Sequence, residues 1–469
     1  MNGKVCGFLA LVLFRWDYST WLQRAWRMMC LMMLVVSGVE FCRSWNLPSG
    51  VSIGVSCYSL LVIVFSAMSL LKDLLALFLW NDSKENLTRF KDRTDGEKKD
   101  LLEAIQKAEV ETGYEKMAVG EPGDFGAFSK EFNKYLREGG KIWIVETRRF
   151  KETSVWRRIN QRLDVVSRVL RIKQRADDYK GFFNEYKLML VSNLIRSSPG
   201  ATGDYAVKVA MTCYYASYMT NEHYRDLVAD EEGYSRSSGV VGEWSPFDEG
   251  MNEMSLHGFD GWNSAHVGVN TIGITADGYV LIWQQKREES QFSKGEAVPT
   301  GSGSMDWGDL AHAGVTRDEQ GRILFNDLIR IAAERELREE SFAEKTWEKK
   351  VIKFFSRLFR RNAGGIGLRT QVIGYYRWGM RGGVPGFVCV TRILLNKNDL
   401  QFSTDEVTRN KKQLETLRLD GDPDKMCKCI DSYIEAHSGN NGIPLSVPLE
   451  VSLTFLKDAL KDGTVSLEG

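Results

Sequence analysis

Residues 332–341 read AAERELREES. In a helix, Glu336 lies three residues from Glu339 and four from Glu340, so their carboxylates converge on one side. Like charges at that spacing disfavour a helix by about 0.2–0.5 kcal/mol per pair, and by more where they are partly buried. A divalent cation reverses the sign of that interaction. Oxygen-only ligands on a helix suit Mg2+ or Mn2+, which take carboxylates and complete their shells with water and substrate phosphates. Glu336, Glu339 and Glu340 are therefore the candidate metal ligands, with Arg335 beside them. The same string also reads as a charged surface helix in which Arg335–Glu339 and Glu334–Arg338 are ordinary pairs four residues apart.

The flanking sequence supplies the elements that would position this helix. Residues 266–285, HVGVNTIGITADGYVLIWQQ, hold two β-rich runs joined at Asp277-Gly278, a strong hairpin signal. PTGSGSMDWGDL follows at 299–310. It reads as a small-residue loop whose backbone amides, at Gly301, Ser302, Gly303 and Ser304, can approach a ligand and form an anion-binding concavity. Asp327 can begin the acidic helix. After it, residues 369–394 read as two further strands around a Gly-rich turn.

From Gly321 the chain resembles the Nudix box. A Gly precedes an acidic residue, Asp327, by six positions, and the pair Arg335-Glu336 lies eight further on, followed by Leu337, Glu339 and Glu340. The resemblance implies an α+β fold over about 255–400, an α/β/α sandwich with a mixed sheet. It also implies metal binding by Glu336, Glu339 and Glu340, oriented by Arg335; in a hydrolase these four residues would be the catalytic set. Asp327 stands where the family usually has Glu, and Phe342 where it usually has Gly. A narrower likeness joins NTIGITADGYV, PTGSGSMDWGDL and RELREES to the membrane segment described next. Together they look like the SMODS-associated Nudix domains of bacterial CBASS anti-phage systems, in which the domain is thought to sense a nucleotide second messenger while the membrane segment is the effector.

The 469 residues suffice for two or three domains, and 62 basic against 62 acidic side chains give a net charge of zero. No DNA or RNA polymer is expected as a partner. The eight cysteines are scattered, and Cys427 and Cys429 lack a second metal-binding pair at zinc-finger spacing. Residues 47–71 run without a charge, long enough for a bilayer core of about 30 Å, and 26–42 form a shorter span carrying Glu40. Basic residues flank the pair more heavily than the connecting loop, which places both termini in the cytoplasm, with the hairpin in the inner membrane. The expected plan is a membrane region at 1–80, a linker at 81–100, a mostly helical connecting region at 101–254, the Nudix-like domain at 255–400 and its extension at 401–469. Basic amphipathic stretches at 155–175 and 349–361 suit either a solvated face or anionic lipid.

Two functions follow from the resemblance. One is a membrane effector whose Nudix-like domain binds a cyclic nucleotide made by a partner cyclase and then lets the hairpins disrupt the membrane; a single hairpin is too little wall for a pore, so a homo-oligomer is expected. The other is a membrane-tethered, Mg2+-dependent hydrolase of a nucleoside diphosphate-linked compound. In both, Gly301 to Ser304 and Arg335 would line the ligand pocket. A third reading is a membrane scaffold that uses the fold only for protein contacts.

Overall fold

The computed structural model describes residues 86–88, 113–120, 124–156, 186–196, 203–217, 220–221, 227–229, 264–285, 295–342, 367–400, 402, 411–437 and 443–466. The membrane helices expected at 26–42 and 47–71 lie outside these residues, as do most of the linker 81–100 and of the basic stretch 155–175, and all of 349–361. Among the described residues no helix is long and apolar enough to cross a membrane.

The labelled elements begin with β1 (Glu115–Ala118), β2 (Phe125–Phe128), α1 (Lys130–Arg137), β3 (Ile142–Arg148), β4 (Tyr186–Leu190), β5 (Ile195–Arg196) and β6 (Tyr205–Cys213). Then come β7 (Gly268–Thr275), β8 (Tyr279–Gln285), β9 (Ala297–Val298), β10 (Gly301–Ser304), β11 (Ile323–Leu324) and α2 (Phe325–Ser341). The chain continues through β12 (Leu368–Trp378), β13 (Val384–Ile393), β14 (Lys411–Arg418), α3 (Pro423–His437) and α4 (Val447–Lys461). A nine-stranded sheet runs β9-β8-β7-β13-β12-β2-β1, with β10 on β7 and β14 on β8. β13 and β7 are parallel and their other neighbours antiparallel, so the sheet is mixed, as expected for an α+β fold.

The two faces of this sheet bury different residues because strand side chains alternate. On β13, Phe387 and Cys389 face one core with Phe325, Leu328 and Ile329 of α2. Val388 and Val390 face the other, with Leu449, Val451, Phe455 and Leu456 of α4. This is the expected α/β/α layering. α4 is capped by Ser446, whose hydroxyl accepts the Leu449 N–H at 3.4 Å. The β7–β8 turn needs Gly278, which sits at φ +82° with the Leu419 carbonyl oxygen only 2.8 Å from where a Cβ would be. The Gly-rich turn between β12 and β13 likewise holds Gly382 and Gly383 at positive φ.

The connecting region corrects the sequence reading. Instead of an all-α segment, the described part of 101–254 is mainly strand, with β1 to β6 against the helix α1. β1 and β2 extend the large sheet, while β3, β4, β5 and β6 join β11 in a second one. Arginines spaced among apolar residues at 155–175 drew the helical reading, whereas the strand signal lay in shorter alternating runs such as YAVKVAMTC, whose residues alternate between buried and half-buried. β4 ties the sheets together. The Leu188 N–H donates to the Met305 carbonyl at 3.0 Å and the Leu190 N–H to the Ala265 carbonyl at 3.1 Å.

Candidate functional site

α2 begins at Phe325, two residues before the expected start. Asp327 therefore sits in its first turn, where its carboxylate accepts the Thr316 N–H at 2.8 Å and complements the positive end of the helix. Phe325, Leu328, Ile329, Ala332, Ala333 and Leu337 are buried. Their spacing of three and four turns one face to the sheet and swings Arg335, Glu336, Glu339 and Glu340 along the flank beside β10. Phe342 takes an extended backbone at φ −112° and is buried with Leu337 and Ile393.

The segment expected to be an open small-residue loop is a strand. β10 pairs with β7 from Gly301 opposite Thr271 to Ser304 opposite Gly268. Its glycines serve close packing with α2: a Cβ on Gly301 would lie 2.7 Å from the Leu337 nitrogen and 2.8 Å from its Cα, and one on Gly303 would collide with the Glu336 carboxyl group. The Ser302 N–H donates to the Glu340 carboxylate at 2.9 Å, and the Ser302 hydroxyl to the Asn270 side chain at 2.9 Å. That amide is thus engaged in bracing strand to helix. Gly301→Ala is expected to destabilise the protein by about 1–3 kcal/mol, because backbone meets backbone, whereas Gly303→Ala asks only a side-chain carboxyl to move. Chemical denaturation of both variants checks the order, which equal or reversed losses would contradict.

Arg335 is the hub of the site. Its Nη1 lies 2.6 Å from Glu336 Oε1, 3.4 Å from Asp306 and 3.7 Å from Glu339; its Nη2 lies 3.3 Å from Asp309. Nη2 also donates to the Ser304 carbonyl at 3.2 Å, while Nε is buried without a hydrogen-bond partner. Lys187 of β4 adds a second cation, 2.6 Å from Asp306. The structure thus gathers Glu336 and Glu339, with Asp306 and Asp309, round the Arg335 guanidinium and turns Glu340 to the β10 backbone. The Glu336 side chain is only 12% exposed, against 48% for Glu339.

Burial dominates the electrostatics. It pushes the Glu336 carboxyl up to about 8, against the pull of Arg335 and with a further push from Glu340. Burial also raises Asp309 above the ordinary carboxylate range although Arg335 pulls it down. Asp306, Asp309 and Lys187 had not been singled out as site residues. The Asp306-x-x-Asp309 turn is a reciprocal capping signal, with the Asp306 N–H donating to Asp309 at 2.9 Å. Lys187 carried no such signal, since its place depends on a strand from the other sheet.

Among the described residues, no three His, Cys, Asp or Glu side chains come together as they would around a metal ion. The donor set nonetheless fits Mg2+ or Mn2+ in kind. It is all oxygen, and the raised proton affinity of Glu336 marks a buried carboxyl still short of positive charge.

No protein-family profile matches the chain, and no curated relative matches it. Among solved structures, a bifunctional NMN adenylyltransferase/ADP ribose pyrophosphatase from Francisella tularensis is similar over 41% of this chain and 41% of that one, with 13% identity and a TM-score of 0.21. The chain thus spans about two fifths of that protein's length, and an overlap this loose bears neither on fold nor on activity.

Proposed function

We propose that the protein is a membrane effector whose Nudix-like domain senses a nucleotide, in the manner of the CBASS systems its sequence resembles. The observation that carries the reading is the Arg335 knot: a guanidinium held among four carboxyl groups, on a helix braced to β10 through Glu340. A phosphate ligand competes for that guanidinium with ligands of the same charge sign, so binding would release Glu336, Glu339 and Asp309 and loosen the contact between α2 and β10. Glu336, Glu339 and Glu340 would then be the residues to hold Mg2+ or Mn2+, which when bound supplies positive charge for the ligand phosphates. Arg335 orients and contacts phosphate in this scheme, and Gly301 and Gly303 keep the helix within reach of it.

Sensing is favoured over cleavage because the carboxyl groups are tied to Arg335 and to a backbone amide, an arrangement suited to responding to a ligand. A hydrolase reading keeps one support, the Glu336 carboxyl with a proton affinity close to neutrality, as general acid–base chemistry requires. The full chain in detergent, mixed with Mg2+ and with cyclic di- and trinucleotides or pyrophosphate-linked nucleotides, separates the two. Binding of a cyclic nucleotide without turnover is the expected result; metal-dependent release of a nucleotide product would make the protein an enzyme.

A further inference from the structure

On the sheet face opposite α2, β12 and β13 set two arginines directly across from one another. The register pairs Arg369 with Arg392, next to Gln371 with Val390. Cross-strand partners share a face with their Cβ atoms about 5 Å apart, and like charges in that position oppose pairing. Among the described residues neither arginine forms an ion pair. Arg392 donates to the Ser466 carbonyl at 2.9 Å, just beyond α4. The nearby carboxylate of Asp462 is already held by Arg137 at 2.7 Å. Both arginines line an open cleft of about 150 Å³, together with Thr370, Gln371, Val390, Val465 and Ser466.

We propose that this cleft binds a phosphate-class anion between Arg369 and Arg392. An oxyanion turns the repulsion between the two guanidiniums into attraction to a shared partner, and the planar forks of arginine match phosphoryl oxygens. Size narrows the ligand further. Sites for whole small molecules measure about 300–1,000 Å³, so this cleft takes a phosphoryl group and leaves the remainder of its carrier outside. The site is separate from the acidic knot because alternate residues of β13 point to opposite faces: Val390 belongs to the core under α4 and Cys389 to the core under α2. It holds whether or not the nucleotide reading does. Two sources share this chemistry, a soluble phosphate monoester and the headgroup of an anionic phospholipid.

Thermal unfolding of the full chain in detergent, at constant ionic strength, tests the assignment. Inorganic phosphate, glycerol 3-phosphate and short-chain phosphatidate are each titrated against chloride, on the wild type, on Arg369→Gln and on Arg369→Gln/Arg392→Gln. The wild-type Tm is expected to rise with the logarithm of ligand concentration, and the double variant to lose at least tenfold in apparent affinity. A response to all three ligands identifies the phosphate group itself as the determinant, and a response to phosphatidate alone identifies a lipid headgroup. In chloride, Arg369→Gln should melt no lower than the wild type, because it removes a like-charge contact. A lower melting point would show the arginines to be structural braces. That result, the absence of any wild-type response, or equal responses in wild type and double variant would each overturn the proposal.

Discussion

Replacing Arg335 with Met should destabilise the protein by about 3–5 kcal/mol at about pH 8.5, the range found when one partner is removed from a buried charge pair. Methionine keeps an unbranched apolar stem but none of the donors, so the loss combines the charge with the hydrogen bond to the Ser304 carbonyl. Glu336, Asp306, Asp309 and Glu339 all lie within 3.7 Å of the guanidinium, and Glu336 and Asp309 are largely buried. Without Arg335 they face one another, with Lys187 left to Asp306. The loss should shrink towards about pH 5, because carboxyl groups already raised by burial escape the repulsion by taking up protons. Mg2+ should restore stability to the variant more than to the wild type, since a vacated acidic cluster has more to gain from a cation. Urea unfolding at both pH values, with and without Mg2+, checks this. A loss that is the same at both pH values would remove the electrostatic account of the knot.

Glu336 should itself make the wild type less stable as pH rises. Its carboxyl is ordinarily near 4.5 and stands at about 8 in the folded protein, so between these values the folded state holds a proton that the unfolded state has released. The sign follows directly. The cost is absent below the lower value, grows through the window by up to about 1.4 kcal/mol per pH unit, and is constant above the upper one. Glu336→Gln keeps the shape and cannot ionise, so its stability should fall less than that of the wild type across the same window. Melting curves of the two proteins from about pH 5 to about pH 9 give the comparison. Parallel profiles would show that Glu336 ionises normally, and with it the claim that this carboxyl lacks positive charge would fail.

Both expectations depend on contacts that the linear pattern only partly announces. The grouping of Arg335, Glu336, Glu339 and Glu340 on one flank was legible because helical spacing is local. The hairpin at Asp277-Gly278 and the two long strands around Gly382 and Gly383 were legible for the same reason, as turn chemistry acts over a few residues. The segment 301–304 was not. GSGS is rich in residues that suit a loop, and nothing within it reveals that Leu337 and Glu336 will lie against it, which is what makes small residues necessary there. The connecting region was misread because its strands find partners far away: β6 pairs with β3, some sixty residues earlier, across a stretch in which arginines recur among apolar residues.

By itself, the sequence determined the acidic helix and the α+β order of elements around it, because each depends on periodicities of two and of 3.6 that operate within one element. Only the tertiary structure decided what those carboxyl groups do. Asp306 and Asp309 arrive with the turn after β10, and Lys187 with a strand from the second sheet, placing two cations among acids distant in the chain. How far each carboxyl is buried, and therefore whether it is charged, follows from the packing of α2 against β10. Desolvation and Coulomb terms depend on distance in space, which no local pattern encodes.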